Sequence, residues 1–106
     1  MSRPPFDLDQ MRAAAGEATA MLRALANEDR LLLLCQLSPG EKCVGELEEI
    51  LDLHQPSLSQ QLGVLRAEGL VTTRREGKRI YYSIADRKVH DLLTTLYALY
   101  CGQAGE

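Results

Sequence analysis

No apolar stretch in this sequence approaches membrane length. The longest aliphatic run is Leu31–Leu34, extended by Cys35, against the roughly 20 residues that a bilayer-spanning helix needs. Cysteine is scarce and its count is odd: Cys35, Cys43 and Cys101. That excludes a small secreted scaffold stapled by disulfides. No two cysteines stand in Cys-x-x-Cys spacing, no glycine-rich phosphate loop is present, and no βαβ pattern appears. A thiol oxidoreductase or a nucleotide-binding enzyme is therefore disfavoured. Internal repeats and low-complexity segments are absent. The opening Arg3-Pro4-Pro5-Phe6 carries no apolar signal region. The expected location is the cytoplasm, where thiols stay reduced, with no membrane partner and no cofactor. Positive charge is also short. The net charge is −3 and the isoelectric point near 5.4, which taken alone argues against a nucleic-acid binder.

What is present fits one globular domain of 106 residues, 45% hydrophobic and 25% charged. Residues 1–8 read as a loose arm, because Pro4 and Pro5 oppose an early helix. Residues 9–106 read as a single domain. Met11, Ala14, Ala18, Met21, Leu22 and Leu25 recur at helical spacing. Asn27 is an N-cap for a second helix over 28–37, with Glu28 and Asp29 in its first turn. Leucines lie on nearly every side of that helix, so it should be buried. A short third helix spans about 44–51, with Leu47, Ile50 and Leu51 inward. A fourth starts near Pro56 and ends at Gly69; Ser57-x-x-Gln60 is an alternative capping box. The period then changes to that of strands over 70–75 and 79–84, around Glu76-Gly77-Lys78. Asp86 opens a last helix whose broad apolar face holds Val89, Leu92, Leu93, Leu96, Leu99 and Tyr100.

This order predicts a mainly α fold with a β-hairpin wing (α+β), a winged helix-turn-helix. The first and last helices carry more apolar surface than one small domain covers, which predicts a homodimer built through them.

The fourth helix is the informative element. With Leu58, Leu62 and Leu65 inward at 100° per residue, its outer face is Ser57, Ser59, Gln60, Gly63, Val64 and Ala67, with Gln61 on the flank. That face holds no acid and is thin at Gly63, so it can enter a major groove. Gln60 or Gln61 suits an adenine edge, Val64 a thymine methyl, and the serines a phosphate or base. Gln55 lies at the same end. The competing reading is an ordinary solvated face. Arg74, Arg75, Lys78 and Arg79 cluster at the hairpin tip, and Arg66 precedes them. Residues 53–90 hold seven basic and three acidic side chains, a net +4; the remainder holds five and twelve, a net −7. Charge is segregated onto the proposed reading head, where phosphate contacts would supply salt-dependent affinity for double-stranded DNA. A merely solvated hairpin tip is the alternative for the wing alone.

From Ala18 to Cys101 the chain resembles the ArsR/SmtB family of small dimeric winged-helix repressors. The resemblance is carried by Leu22-Arg23-Ala24-Leu25-Ala26-Asn27-Glu28-Asp29-Arg30-Leu31, by Val44-Gly45-Glu46-Leu47, by Pro56–Arg66, and by Arg79-Ile80-Tyr81-Tyr82-Ser83-Ile84. Many members have His-Pro where this chain has Asn27-Glu28. Within the family it looks most like the group of BigR, SqrR and HlyU, sensors of reactive sulfur species. One cysteine in the second helix, Cys35, and one near the end of the last, Cys101, carry that likeness. The resemblance implies that these two thiols lie close within a subunit, that a persulfide or polysulfide inducer joins them by a disulfide or polysulfide link, and that the linked form releases its operator.

Other readings of the thiols remain. A cysteine such as Cys35 alone is more often a small buried hydrophobe. A sensing thiol must reach its thiolate and be accessible, and a second must resolve the adduct. Arsenic sensors of the family open the third helix with Cys-Val-Cys; here the segment is Cys43-Val44-Gly45, and Cys43 reads as an exposed bystander. An arsenite or transition-metal site from Cys35, Cys43 and Cys101 is the alternative, since a soft metal wants about three or four such ligands. His90 and His54 read as surface residues. A pure protein-interaction module is the remaining class, but it needs neither the uncharged face nor the basic wing.

Overall fold

The computed structural model describes residues 5–102. Five helices and three strands follow in the order α1 (Leu8–Leu25), α2 (Glu28–Leu37), β1 (Lys42–Cys43), α3 (Val44–Leu51), α4 (Gln55–Ala67), β2 (Val71–Glu76), β3 (Arg79–Ile84) and α5 (Arg87–Tyr100). Of the expected arm, residues 1–4 lie outside the described residues. Asp7 caps α1 by accepting from the Gln10 N–H, so the helix already includes Leu8.

Each helix starts where its sequence supplies an acceptor or a fixed φ. Asn27 Oδ1 accepts from the Arg30 N–H at 3.0 Å, and Glu28 and Asp29 occupy the first turn of α2. Asp86 caps α5 through the Lys88 N–H. The α4 helix begins one residue earlier than expected, at Gln55, with His54 as N-cap and Pro56 in its first turn. The Ser57 capping box does not form there.

Helix α2 sits at the centre and packs against α1, α3, α4, α5 and β3. Leu33, Leu34 and Leu37 of α2, Leu47 of α3, Leu58, Leu62 and Leu65 of α4, and Val89 of α5 are fully buried in one core. Ile50, expected inward, is exposed, because α3 turns only Leu47 fully into the core.

The hairpin forms as expected, but its first strand is shifted by one residue to Val71–Glu76, because Glu76 pairs with Arg79; the loop is therefore two residues, Gly77-Lys78, with Gly77 at φ 61°. A strand that the sequence reading lacked joins it: β1 pairs antiparallel with β3, Lys42 opposite Tyr82 and Cys43 opposite Tyr81, giving the order β1-β3-β2. Two residues are too few to show strand periodicity.

The helical stripes of α1 and α5 remain largely uncovered. Met11 and Leu22 are exposed, as are Tyr97, Leu99 and Tyr100. The Cα radius of gyration is 16.0 Å, against about 13 Å for a compact chain of this length.

Replacing Leu33 with Ala should destabilise the fold by about 2–5 kcal/mol. Equilibrium urea unfolding checks this; a loss below about 1 kcal/mol would mean the site can collapse around the gap.

Candidate nucleic-acid interface and thiol pair

The α4 helix turns Leu58, Leu62 and Leu65 into the core, and this fixes its outer face. Ser57, Ser59, Gln60, Gly63 and Ala67 are exposed, as is Arg66, and Val64 is half-buried. Nothing lies within 4 Å of a Cβ placed on Gly63, so the helix is slim there because the residue is small, not because a neighbour requires it. The Ser59 hydroxyl donates to Gln55 Oε1 across the first turn. These six exposed positions, Val64 and the end of the wing share one segment of the chain with net positive charge.

Two expected contacts are already engaged within the protein. Gln61 Oε1 accepts from Arg30 Nη1 at 2.9 Å. Arg74 pairs with Glu41 and with Glu76, the latter at 3.0 Å, and its guanidinium lies 4.8 Å from the Tyr81 ring centroid. The Arg74 bond holds the Glu41 carboxyl below the usual carboxylate range. Arg74, Arg75, Lys78 and Arg79 are all exposed, but among the described residues only Arg74 is held in ion pairs. Arg75 makes a single long bond, 3.3 Å, to the Gly77 carbonyl.

Sequence reasoning missed Arg30 and Glu41. Arg30 had one signal: it is the lone basic residue in a helix otherwise rich in leucine. Glu41 had none.

The thiols divide sharply. Cys35 is exposed on α2, against the reading of a lone cysteine as buried, and Cys101 is the exposed C-cap of α5. Partial burial raises the Cys35 pKa above the ordinary thiol value, and the nearby Cys101 charge raises it further. Helix α2, which carries Cys35, packs against α5, which ends at Cys101. Helices α2 and α5 are also tied by Ser38 Oγ and His90 Nδ1 at 3.4 Å, so His90 is half-buried at a helix contact and not simply a surface residue.

Cys43 is buried, not exposed as expected, because β1 pairs with β3 over it. It precedes α3, and its backbone N–H donates to Glu46 Oε1 at 2.8 Å. That bond is the main reason the Glu46 carboxyl is lowered. Among the described residues, no group of three or more His, Cys, Asp or Glu side chains gathers as for a metal ion. The alternative set Cys35, Cys43 and Cys101 therefore does not assemble in this structure.

Residues 27–73, from the cap of α2 into β2, match the family described as bacterial regulatory protein, arsR family. A biofilm growth-associated repressor of Agrobacterium fabrum is 51% identical over 94 residues, 89% of this chain and 80% of that protein. The chain belongs to the arsR family. The transcriptional activator HlyU of Vibrio cholerae is 41% identical, over 92% of this chain and 90% of its own. The crystal structure of the transcriptional repressor BigR from Xylella fastidiosa superposes with a TM-score of 0.87 at 43% identity, covering 92% of this chain and all of that one. This arsR-family chain is a winged-helix, DNA-binding transcriptional repressor and not an enzyme. No helix among the described residues is long and apolar enough to cross a membrane.

Replacing Cys101 with Ser removes the repulsion that a Cys101 thiolate exerts on a Cys35 thiolate. The pH profile of Cys35 alkylation by iodoacetamide should then shift to lower pH. An unchanged profile would show that burial alone sets the Cys35 thiol.

Proposed function

We propose that this repressor acts as a homodimer, holds palindromic operator DNA with α4 and the β2–β3 wing, and releases it when a persulfide links Cys35 to Cys101. The observation that carries the proposal is the packing of α5 against α2, with exposed Cys35 on α2 and exposed Cys101 at the end of α5.

Dimerisation is supported by the uncovered apolar residues of α1 and α5. A groove of about 660 Å³ runs beside them, floored by Ala14, Ala18, Met21, Leu70 and Leu92. Apolar area of this kind marks an interface. In the dimer each α4 would enter a major groove of one half-site, and Ser57, Ser59, Gln60 and Val64 would meet base edges or phosphates. Arg66, Arg75, Lys78 and Arg79 would supply phosphate contacts. Arg74 would do so only after leaving Glu41 or Glu76.

The thiol chemistry balances without any other oxidant. The Cys35 thiolate attacks the outer sulfur of a low-molecular-weight persulfide, taking that sulfur and expelling the carrier as a thiol. Cys101 then attacks the inner sulfur of the Cys35 persulfide and expels hydrogen sulfide, leaving a disulfide. A second sulfur transfer to Cys35 before closure gives a trisulfide instead. The raised Cys35 pKa keeps most of the resting thiol protonated at neutral pH. Reactivity then rises with pH toward that pKa. A covalent bond between α2 and α5 would join the core helix to a dimerisation helix, and it need only favour one spacing of the two reading heads over another. The arsR family, the likeness to BigR and HlyU, and the cytoplasmic setting expected for reduced thiols all fit this reading.

Treatment of the reduced protein with a persulfide donor should yield a Cys35–Cys101 link with added sulfur in part of the product, seen by mass spectrometry. Operator affinity, followed by fluorescence anisotropy, should fall at the same time. Cys35→Ser and Cys101→Ser proteins should bind DNA but keep it under the donor. Normal release by either variant would rule out the dithiol switch.

A further inference from the structure

The Arg30 guanidinium makes three hydrogen bonds in two directions. Its Nε donates to the Ala24 carbonyl at 2.7 Å and its Nη2 to the Arg23 carbonyl at 3.1 Å, both in the last turn of α1. Its Nη1 donates to Gln61 Oε1, in the middle of α4. Among the described residues this is the one side-chain hydrogen bond that joins α4 to another helix. We infer that Arg30 is a positioning residue for DNA reading, a clamp that fixes the angle of α4 against α1 and so sets the half-site spacing that the dimer accepts.

The inference rests on the dimeric DNA reading proposed above. The leucine contacts of α2 and α4 resist separation but are non-directional, so they leave α4 some freedom to rotate or slide. A guanidinium is planar and rigid. Two of its nitrogens are fixed to consecutive carbonyls of α1, so its plane is set before it reaches Gln61. It has no acceptor, and the amide must therefore turn its oxygen toward it. Helix α1 carries one of the uncovered apolar stripes, so a clamp on its last turn relates each reading helix to the dimer axis. A two-fold symmetric reader converts that relation into a preferred distance between half-sites.

The test uses a duplex that the wild-type protein selects from a random palindromic library, with two further duplexes carrying one base pair more or one less at its centre. Wild type should discriminate against both altered spacings. Gln61→Leu breaks the clamp, and its discrimination should fall about tenfold, the scale of a lost charged hydrogen bond. Gln61→Glu keeps an acceptor for Arg30 and should retain the discrimination, although its absolute affinity drops with the added negative charge. Arg30→Lys, which cannot fork to both helices, should behave like Gln61→Leu and serves if that variant does not fold. Thermal unfolding accompanies each, because a merely structural role would lower stability without changing spacing preference. Wild-type discrimination retained in both Gln61→Leu and Arg30→Lys would overturn the inference, as would a wild type indifferent to spacing. Selection of no duplex at all by the wild type would instead defeat the DNA reading beneath it.

Discussion

Helix α2 is packed on five sides at once, against α1, α3, α4, α5 and β3. Those five elements cover Leu33, Leu34 and Leu37, while Leu32 and Cys35 on the remaining side stay exposed, so the helix is central but not buried all round as its leucine content suggests. This burial fixes the inner stripe of α4, and the inner stripe fixes which residues of α4 face outward. It also places Cys35 where α5 passes, and Arg30 between the end of α1 and the middle of α4. The proposed reading face, thiol switch and clamp all rest on how this one central helix packs.

Charge is arranged around that core with equal economy. The chain is acidic as a whole, yet the segment 53–90 is net positive. Glu41 and Glu76 hold Arg74 against the Tyr81 ring, which stiffens the base of the wing and leaves Arg75, Lys78 and Arg79 at its tip. Acidic residues elsewhere keep the remainder from competing for phosphate. Net charge is therefore a poor guide to the partner here, and its distribution a good one.

Most of the architecture was legible because it is encoded locally. The leucine positions of α2 and α4, the caps Asn27 and Asp86, and Gly77 in the wing each declare their structure within a few residues. What escaped depends on residues far apart in the chain. Cys43 read as exposed because β1 exists only through its pairing with Tyr81 and Tyr82. Arg30 and Gln61 are 31 positions apart, and no periodicity announces their bond. Ile50 matched the helical stripe of α3, but that helix turns only Leu47 fully into the core. The reading face was legible as a pattern, and the commitment of Gln61 and Arg74 to internal partners was not. Cys35 and Cys101 were singled out by a likeness to relatives, since no spacing announces a pairing across 66 positions of the chain.

The central claim is that a net-acidic chain reads DNA through a segregated basic head. The salt dependence of operator affinity for the reduced protein tests it most directly. The account predicts a linear fall of log K with log salt concentration, with Arg75→Ala and Lys78→Ala each lowering the slope by about one. It also predicts a preference for the selected duplex over random DNA. Binding that ignores both salt and sequence would contradict it.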